Sequence, residues 1–176
     1  MAKLSEGPAA PAAGGASGVL GKLWNAPNTA VGLVYGVLGL GAGVLAHALG
    51  RAPKPKVFWR DNALQFTNNP FGGLGAITLG NTTTWTGDPY DPADRTWHDN
   101  GLPRREPHAA GEAGHTYPEH EIQHTYQGEL LGPLYLPSNL LGGLYAVLRG
   151  EGWHGPSNWN ERGPQSPSPT PWALRP

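Results

Sequence analysis

The 176-residue chain contains no cysteine. A disulfide framework is therefore excluded, and so is any thiolate metal site; a bound metal would have to rest on imidazole and carboxylate. Charge is scarce as well, with 12 Lys and Arg against 13 Asp and Glu, a formal net charge of -1. So balanced a chain has no electrostatic footprint for nucleic acid, and none is expected as a partner. No Asp, Glu, Lys or Arg lies between Lys22 and Arg51, and no Asp follows His124. What the chain has in quantity is glycine and proline, 27 and 19, with seven Trp and six Tyr. The Gly and Pro content approaches low complexity, but that much aromatic surface belongs to chains that fold. At this length one domain with its own core is expected.

Residues 1–18 are small and Ala/Gly/Pro-rich, cannot offset their ordering entropy by burial, and read as a flexible leader. Glu6 and the prolines stand where a signal peptide needs its apolar region. A single domain is expected over 19–162, followed by a Pro-rich, extended tail over 163–176, packed through Trp172. Within the domain, 29–50 is an apolar helical segment with Gly32-xxx-Gly36 and Gly39-xxx-Gly43 spacings. It is long enough to cross a bilayer, and membrane association through 29–50 is one expected partnership; the competing expectation is a hairpin of two short helices buried in a soluble domain. Pro27 suits a first helical turn.

Over 56–86, KVFWR, ALQFT, AITLG and TTTWT are short, β-branched or aromatic, and punctuated by Asp61-Asn62, Asn68-Asn69-Pro70 and Gly80-Asn81. They predict three or four strands in a small antiparallel sheet. Residues 87–114 are polar and Pro-rich, a long surface loop of the kind that covers sites. A helix is predicted over 118–131, started by Pro118 and stopped by Gly132-Pro133, with Ile122, Tyr126 and Leu130 as its buried stripe. Leu134 to Leu148 predicts another. The fold class is α+β.

The 118–131 helix carries His120-Glu121-Ile122-Gln123-His124. Two His four residues apart project from one helical face and can share one Zn²⁺. Glu121, adjacent to the first imidazole, can take a proton from a water that the metal activates without itself being a ligand. These are the residue types that metal-assisted amide hydrolysis needs, with Glu121 as general base and then as acid toward the leaving amine. The contrary reading is a solvated helix face. A third ligand must come from Glu129, Glu151, His154 or Glu161, because the longer pattern fails where Gln127 and Leu130 occupy its Gly and His positions. Glu129 lies about 140° round the helix from His124 and should point away, toward a cap or solvent. Glu151 sits between two Gly. Glu161, in Asn158-Trp159-Asn160-Glu161, is preferred as a short turn that could dock beside the helix. His154 is the alternative, as ligand or as a hydrogen-bond donor to a developing oxyanion. Tyr126 is expected in the core, and His98 and His115 are left out of the site as isolated loop residues.

The motif with a downstream glutamate resembles the zincin metallopeptidases, specifically the gluzincin branch, whose third ligand is Glu. The string HEIQHTYQGELLGPLYLP also resembles a group of poorly characterised bacterial proteins, some of them toxin or effector modules of secretion systems. The similarity is concentrated in His120 to Pro137, with weaker traces in NNPFGGLGAITLGN and NWNERGP. It implies a small zincin-like α+β domain with Zn²⁺ on His120 and His124 and Glu121 as base; the choice of Glu161 as third ligand rests on the residues themselves, since its surroundings do not match the usual gluzincin glutamate helix. It implies a protein or peptide substrate, an inhibitor or immunity partner, and a secreted or membrane-associated location. By the same analogy AITLGNTTTW is the edge to which an extended substrate would add. The alternative function is a membrane-associated or structural binding module without a catalytic metal.

Overall fold

Glycines at 32, 36, 39 and 43 leave one side of a helix without side chains, and that bare side sets how the layers approach. In the computed structural model, which describes residues 18–73, 75–107 and 114–172, α1 (Val19–Trp24) leads through Asn25 into α2 (Ala26–Ala48). The expected leader, apart from Gly18, and the last four residues of the tail lie outside the described residues. Helix α2 is one unbroken rod of 23 residues, not a hairpin of two helices. Its glycines mark close approach rather than a bend. A Cβ on Gly32 would overlap Thr82 Oγ1, one on Gly39 would overlap Asn69 Oδ1, and one on Gly36 would stand 2.6 Å from the Phe66 ring. Asn69 Nδ2 donates to the Gly36 carbonyl at 3.0 Å, so the contact is polar as well as tight.

Beneath α2 lies a four-stranded sheet of β1 (Lys56–Arg60), β2 (Ala63–Thr67), β3 (Ala76–Leu79) and β4 (Thr82–Trp85), in the order β1-β2-β4-β3. Asp61 and Asn62 both adopt left-handed conformations, φ 50° and 61°, which suits the two-residue turn of the β1–β2 hairpin. The β3–β4 pair is also antiparallel, but β2 and β4 run parallel, so the sheet is mixed and not wholly antiparallel as expected. The cause is the 68–75 connection, which passes the end of β4: Asn69 N–H donates to the Trp85 carbonyl and Thr86 N–H to that of Gly75. The chain therefore returns on the far side of β4, leaving β3 as an edge strand.

Side chains alternate between the two faces of the sheet. Phe66 and Thr82 point toward the α2 glycines, while Thr78 reaches across to Glu121 on α3 (Tyr117–Leu131). Residues 87–107 do not form a loose cover. Trp97 and His98 are buried, Trp97 stands edge-on to Trp85 and close to edge-on to Tyr117 with centroids 5.1 Å from each, and a small ribbon of β5 (His98–Asp99) and β6 (Leu102–Pro103) closes the segment. Aromatic burial ties it to the α3 face of the sheet.

Helix α3 begins with a capping box: Thr116 Oγ1 accepts from the Glu119 N–H while Glu119 Oε2 accepts from the Thr116 N–H. Its buried side is polar, comprising His120, His124, Thr125, Gln127, Gly128 and Glu129, whereas Leu130 is exposed and Ile122 and Tyr126 are half-buried. The expected stripe of Ile122, Tyr126 and Leu130 is thus turned away from the core. The polar side chains can go inside because each finds partners there. Glu129 shows this: not facing solvent, its Oε1 accepts from Lys22 Nζ at 2.9 Å and from Asn62 and Asn81 at 2.8 Å each, joining α1, both hairpin turns and α3. Gly132, at φ 55° and pressed against the Trp24 indole, ends α3; one 3₁₀ turn (Gly132–Leu134) leads into α4 (Tyr135–Leu148). The molecule is α+β.

Candidate metal centre

His120 and His124 lie one turn apart on the inward side of α3, 4 % and 5 % exposed. Their Nε2 atoms face each other at 3.0 Å. Glu161 arrives from the other end of the chain on a turn that two fully buried asparagines fasten to α4. Asn160 Nδ2 donates to the Ser138 carbonyl at 3.0 Å, and Asn158 fills the space left by Gly142. Glu161 Oε2 then stands 3.3 Å from His120 Nε2 and 3.6 Å from His124 Nε2.

This oxygen is buried and makes no hydrogen bond, although ring nitrogens lie close by. Three lone-pair atoms converging at such separations fit one tetrahedral cation: ligands about 2.0–2.1 Å from a common centre are about 3.3 Å apart. His120, His124 and Glu161 form a group that could hold a metal ion, with all three buried. The chemistry of the set, two imidazoles and one carboxylate, suits Zn²⁺.

The outer nitrogen of His124 is hydrogen-bonded, and that of His120 faces a carboxylate without a hydrogen bond. His120 Nδ1 lies 3.3 Å from Glu106 Oε1, and the other oxygen of Glu106 meets His115 Nε2 at 2.7 Å. His124 Nδ1 meets Gln127 Oε1 at 2.9 Å, while Gln127 Nε2 donates to the Asn160 and Pro171 carbonyls. Gln127 therefore joins one imidazole to the turn that carries Glu161. Partners on the far nitrogen fix ring orientation and tautomer. Burial disfavours the charged imidazolium of His120, but the Glu106 and Glu161 carboxylates outweigh it and push its pKa up to about 10. Burial would raise Glu106, yet His115 and His120 hold it down at about 2. Burial likewise opposes ionisation of Glu161, and His124, His120 and His154 hold it far below the ordinary carboxylate range.

Glu121 does not join the three converging atoms. Its Oε2 accepts from Thr78 Oγ1 at 2.6 Å, and Thr78 Oγ1 in turn lies 3.0 Å from Thr83 Oγ1. The carboxylate is thereby oriented from the edge strand and faces a cleft of about 710 Å³. Ile77 and Leu79 of β3 line one wall, and Leu136, Leu140 and Trp153 line the other, with His124, Glu161 and His154 also present. His154 Nδ1 is 3.3 Å from Glu161 Oε2, but its side chain is 70 % exposed and it stands at the mouth.

Of the residues expected from sequence, His120, His124 and Glu161 are brought together, Glu121 lies beside them, and His154 touches Glu161. Glu151 is elsewhere, accepting from Arg149 and Ser157. Tyr126 is half-buried rather than core. Sequence reasoning missed Glu106, left His115 aside and assigned Thr78 no role. A loop glutamate fourteen positions ahead of the first imidazole carries no periodic signal, whereas helical spacing alone puts Gln127 beside the site, where it meets His124. No protein-family model, curated protein or solved structure matches this chain.

Proposed function

We propose that the chain is a zinc-dependent peptidase. The convergence of His120 Nε2, His124 Nε2 and the unpartnered, buried Glu161 Oε2 within 3.0–3.6 Å of one another carries this reading. A divalent cation held there supplies Lewis acidity toward water and toward a carbonyl oxygen. Glu121 takes the proton from the attacking water and delivers it to the departing amine, and Thr78 holds its carboxylate in position through one oxygen, leaving the other free. Edge strand β3 offers its outer side to an extended polypeptide, which would run along the cleft as an added strand. His154, exposed at the mouth, donates toward the carbonyl oxygen as it gains charge.

The test is direct. The purified chain should bind one zinc per molecule and cleave members of an unstructured peptide library, and Glu121→Gln should keep the zinc while losing ~10²–10⁴-fold in kcat. A wild-type chain that takes up no zinc from micromolar free metal ends this reading.

A further inference from the structure

Helix α2 is far more apolar than its place on the sheet requires. With Gly32, Gly36, Gly39 and Gly43 against the strands, about 100° per residue puts Val34, Val37, Leu38 and Leu45 on the opposite side. Each of the four is more than half exposed, and among the described residues only 22 % of the most apolar stretch of the helix is buried. Strand β1 continues the surface. Val57 pairs with Phe66 and Trp59 with Leu64, so both share the sheet face that α2 covers, and both are exposed. Apolar patches of this extent mark contact with a partner or a membrane.

We propose that this face seats in one leaflet of a lipid bilayer, with α2 lying along the membrane plane. Three features favour lipid over a protein. The helix is apolar on every side not occupied by the sheet, a convex ridge, whereas docking against another protein needs only a stripe. No charge interrupts the chain from Leu23 to Gly50, and Arg51 and Lys54, both exposed, follow that stretch with cations suited to anionic headgroups. Trp24 and Trp59 are 54 % and 58 % exposed, amphipathic rings of the kind enriched at the membrane interface.

The geometry favours lying over crossing, although α2 is long and apolar enough to span. The sheet follows α2 from Gly32, against Thr82, to Gly43, whose added Cβ would stand 3.1 Å from the Asn68 carbonyl. A spanning α2 would draw those strands and their unpaired edges into hydrocarbon, where nothing satisfies them. An α2 that lies flat keeps the strands themselves out of hydrocarbon, with only the outward side chains of β1, Val57 and Trp59, reaching the interface. The metal centre, on the α3 side of the sheet, then remains in water. This placement does not depend on the peptidase reading.

Flotation of the full chain through a sucrose gradient tests it, using phosphatidylcholine vesicles with or without about one-third phosphatidylglycerol. The chain should float with the vesicles, with or without a chelator present, which separates this result from any failure of zinc binding. Val34→Asp with Leu38→Asp should weaken partitioning at least ~10-fold. Arg51→Gln with Lys54→Gln should remove the preference for phosphatidylglycerol, ~5-fold per cation, while leaving the apolar contact. The second pair lies outside the apolar surface and keeps the test available should the first pair fail to fold, as judged by circular dichroism. A wild-type chain that stays unbound with both vesicles overturns the proposal. So does concentration-dependent self-association that the aspartate pair abolishes, because the covering surface would then be a second copy.

Discussion

Glu106 lies against both His115 and His120, with one carboxylate oxygen 2.7 Å from His115 Nε2 and the other 3.3 Å from His120 Nδ1. It thus holds the outer edge of one proposed metal ligand from a segment that the helix itself does not contain. Glu106→Gln should keep the fold and the zinc stoichiometry but weaken zinc affinity ~10–100-fold, read by competition with a chromophoric chelator. Unchanged affinity would mean that the pairing holds the loop and not the ligand.

Glu161 and His154 are separable. Glu161→Gln should abolish stoichiometric zinc, because it removes the only carboxylate among the three converging atoms. His154→Ala should retain zinc and lower kcat with little change in KM, since its side chain is largely exposed at the mouth of the cleft. If His154→Ala loses the metal and Glu161→Gln does not, the assignment of ligands is reversed.

Protonation of His120 competes with the metal. Its folded pKa, about 10, lies above the ordinary 6.5, so the imidazolium stabilises the metal-free protein fully below pH 6.5 and this contribution is lost as pH rises toward 10. Glu106, lowered to about 2 from 4.5, contributes above pH 4.5 and loses that contribution as pH falls through about 2. Metal-free chain should therefore melt highest between about pH 4.5 and 6.5. Zinc needs the neutral ring, so its uptake at pH 7 should release about one proton, measured from the dependence of binding enthalpy on buffer ionisation enthalpy.

Two glycines of α2 should respond in opposite directions to alanine. At Gly41 a Cβ meets nothing within 4 Å, so Gly41→Ala should stabilise by up to ~1 kcal/mol through helix propensity. At Gly39 the same Cβ would overlap the Asn69 side chain, which donates to the Gly36 carbonyl and whose Oδ1 accepts from the Phe71 N–H. Gly39→Ala should cost ~1–3 kcal/mol. Thermal melts of the two variants, shifted by ~2–4 °C per kcal/mol, provide the comparison.

The local elements were legible because their causes are local. Asp61-Asn62 and Gly80-Asn81 turn two hairpins, and Pro118 and Gly132-Pro133 bound α3, each through the backbone geometry those residues favour. His120, Glu121 and His124 were readable together because a helix places i and i+4 on one side whatever surrounds it.

The sequence alone could not say which side of α3 turns inward. Hydrophobic patterning pointed to Ile122, Tyr126 and Leu130, but Glu161 beside His120 and His124, the Asn160 carbonyl for Gln127 and Lys22 for Glu129 come from residues far along the chain, and those contacts decided the outcome. The parallel pairing of β2 with β4, the burial of Trp97 and the reach of Glu106 have the same origin. Residue spacing along the chain determined the helices, the turns and the imidazole pair proposed to bind the metal. Only packing decided where Glu161 and Glu106 would stand, the first through the buried asparagines that fasten its turn and the second through its bond to His115.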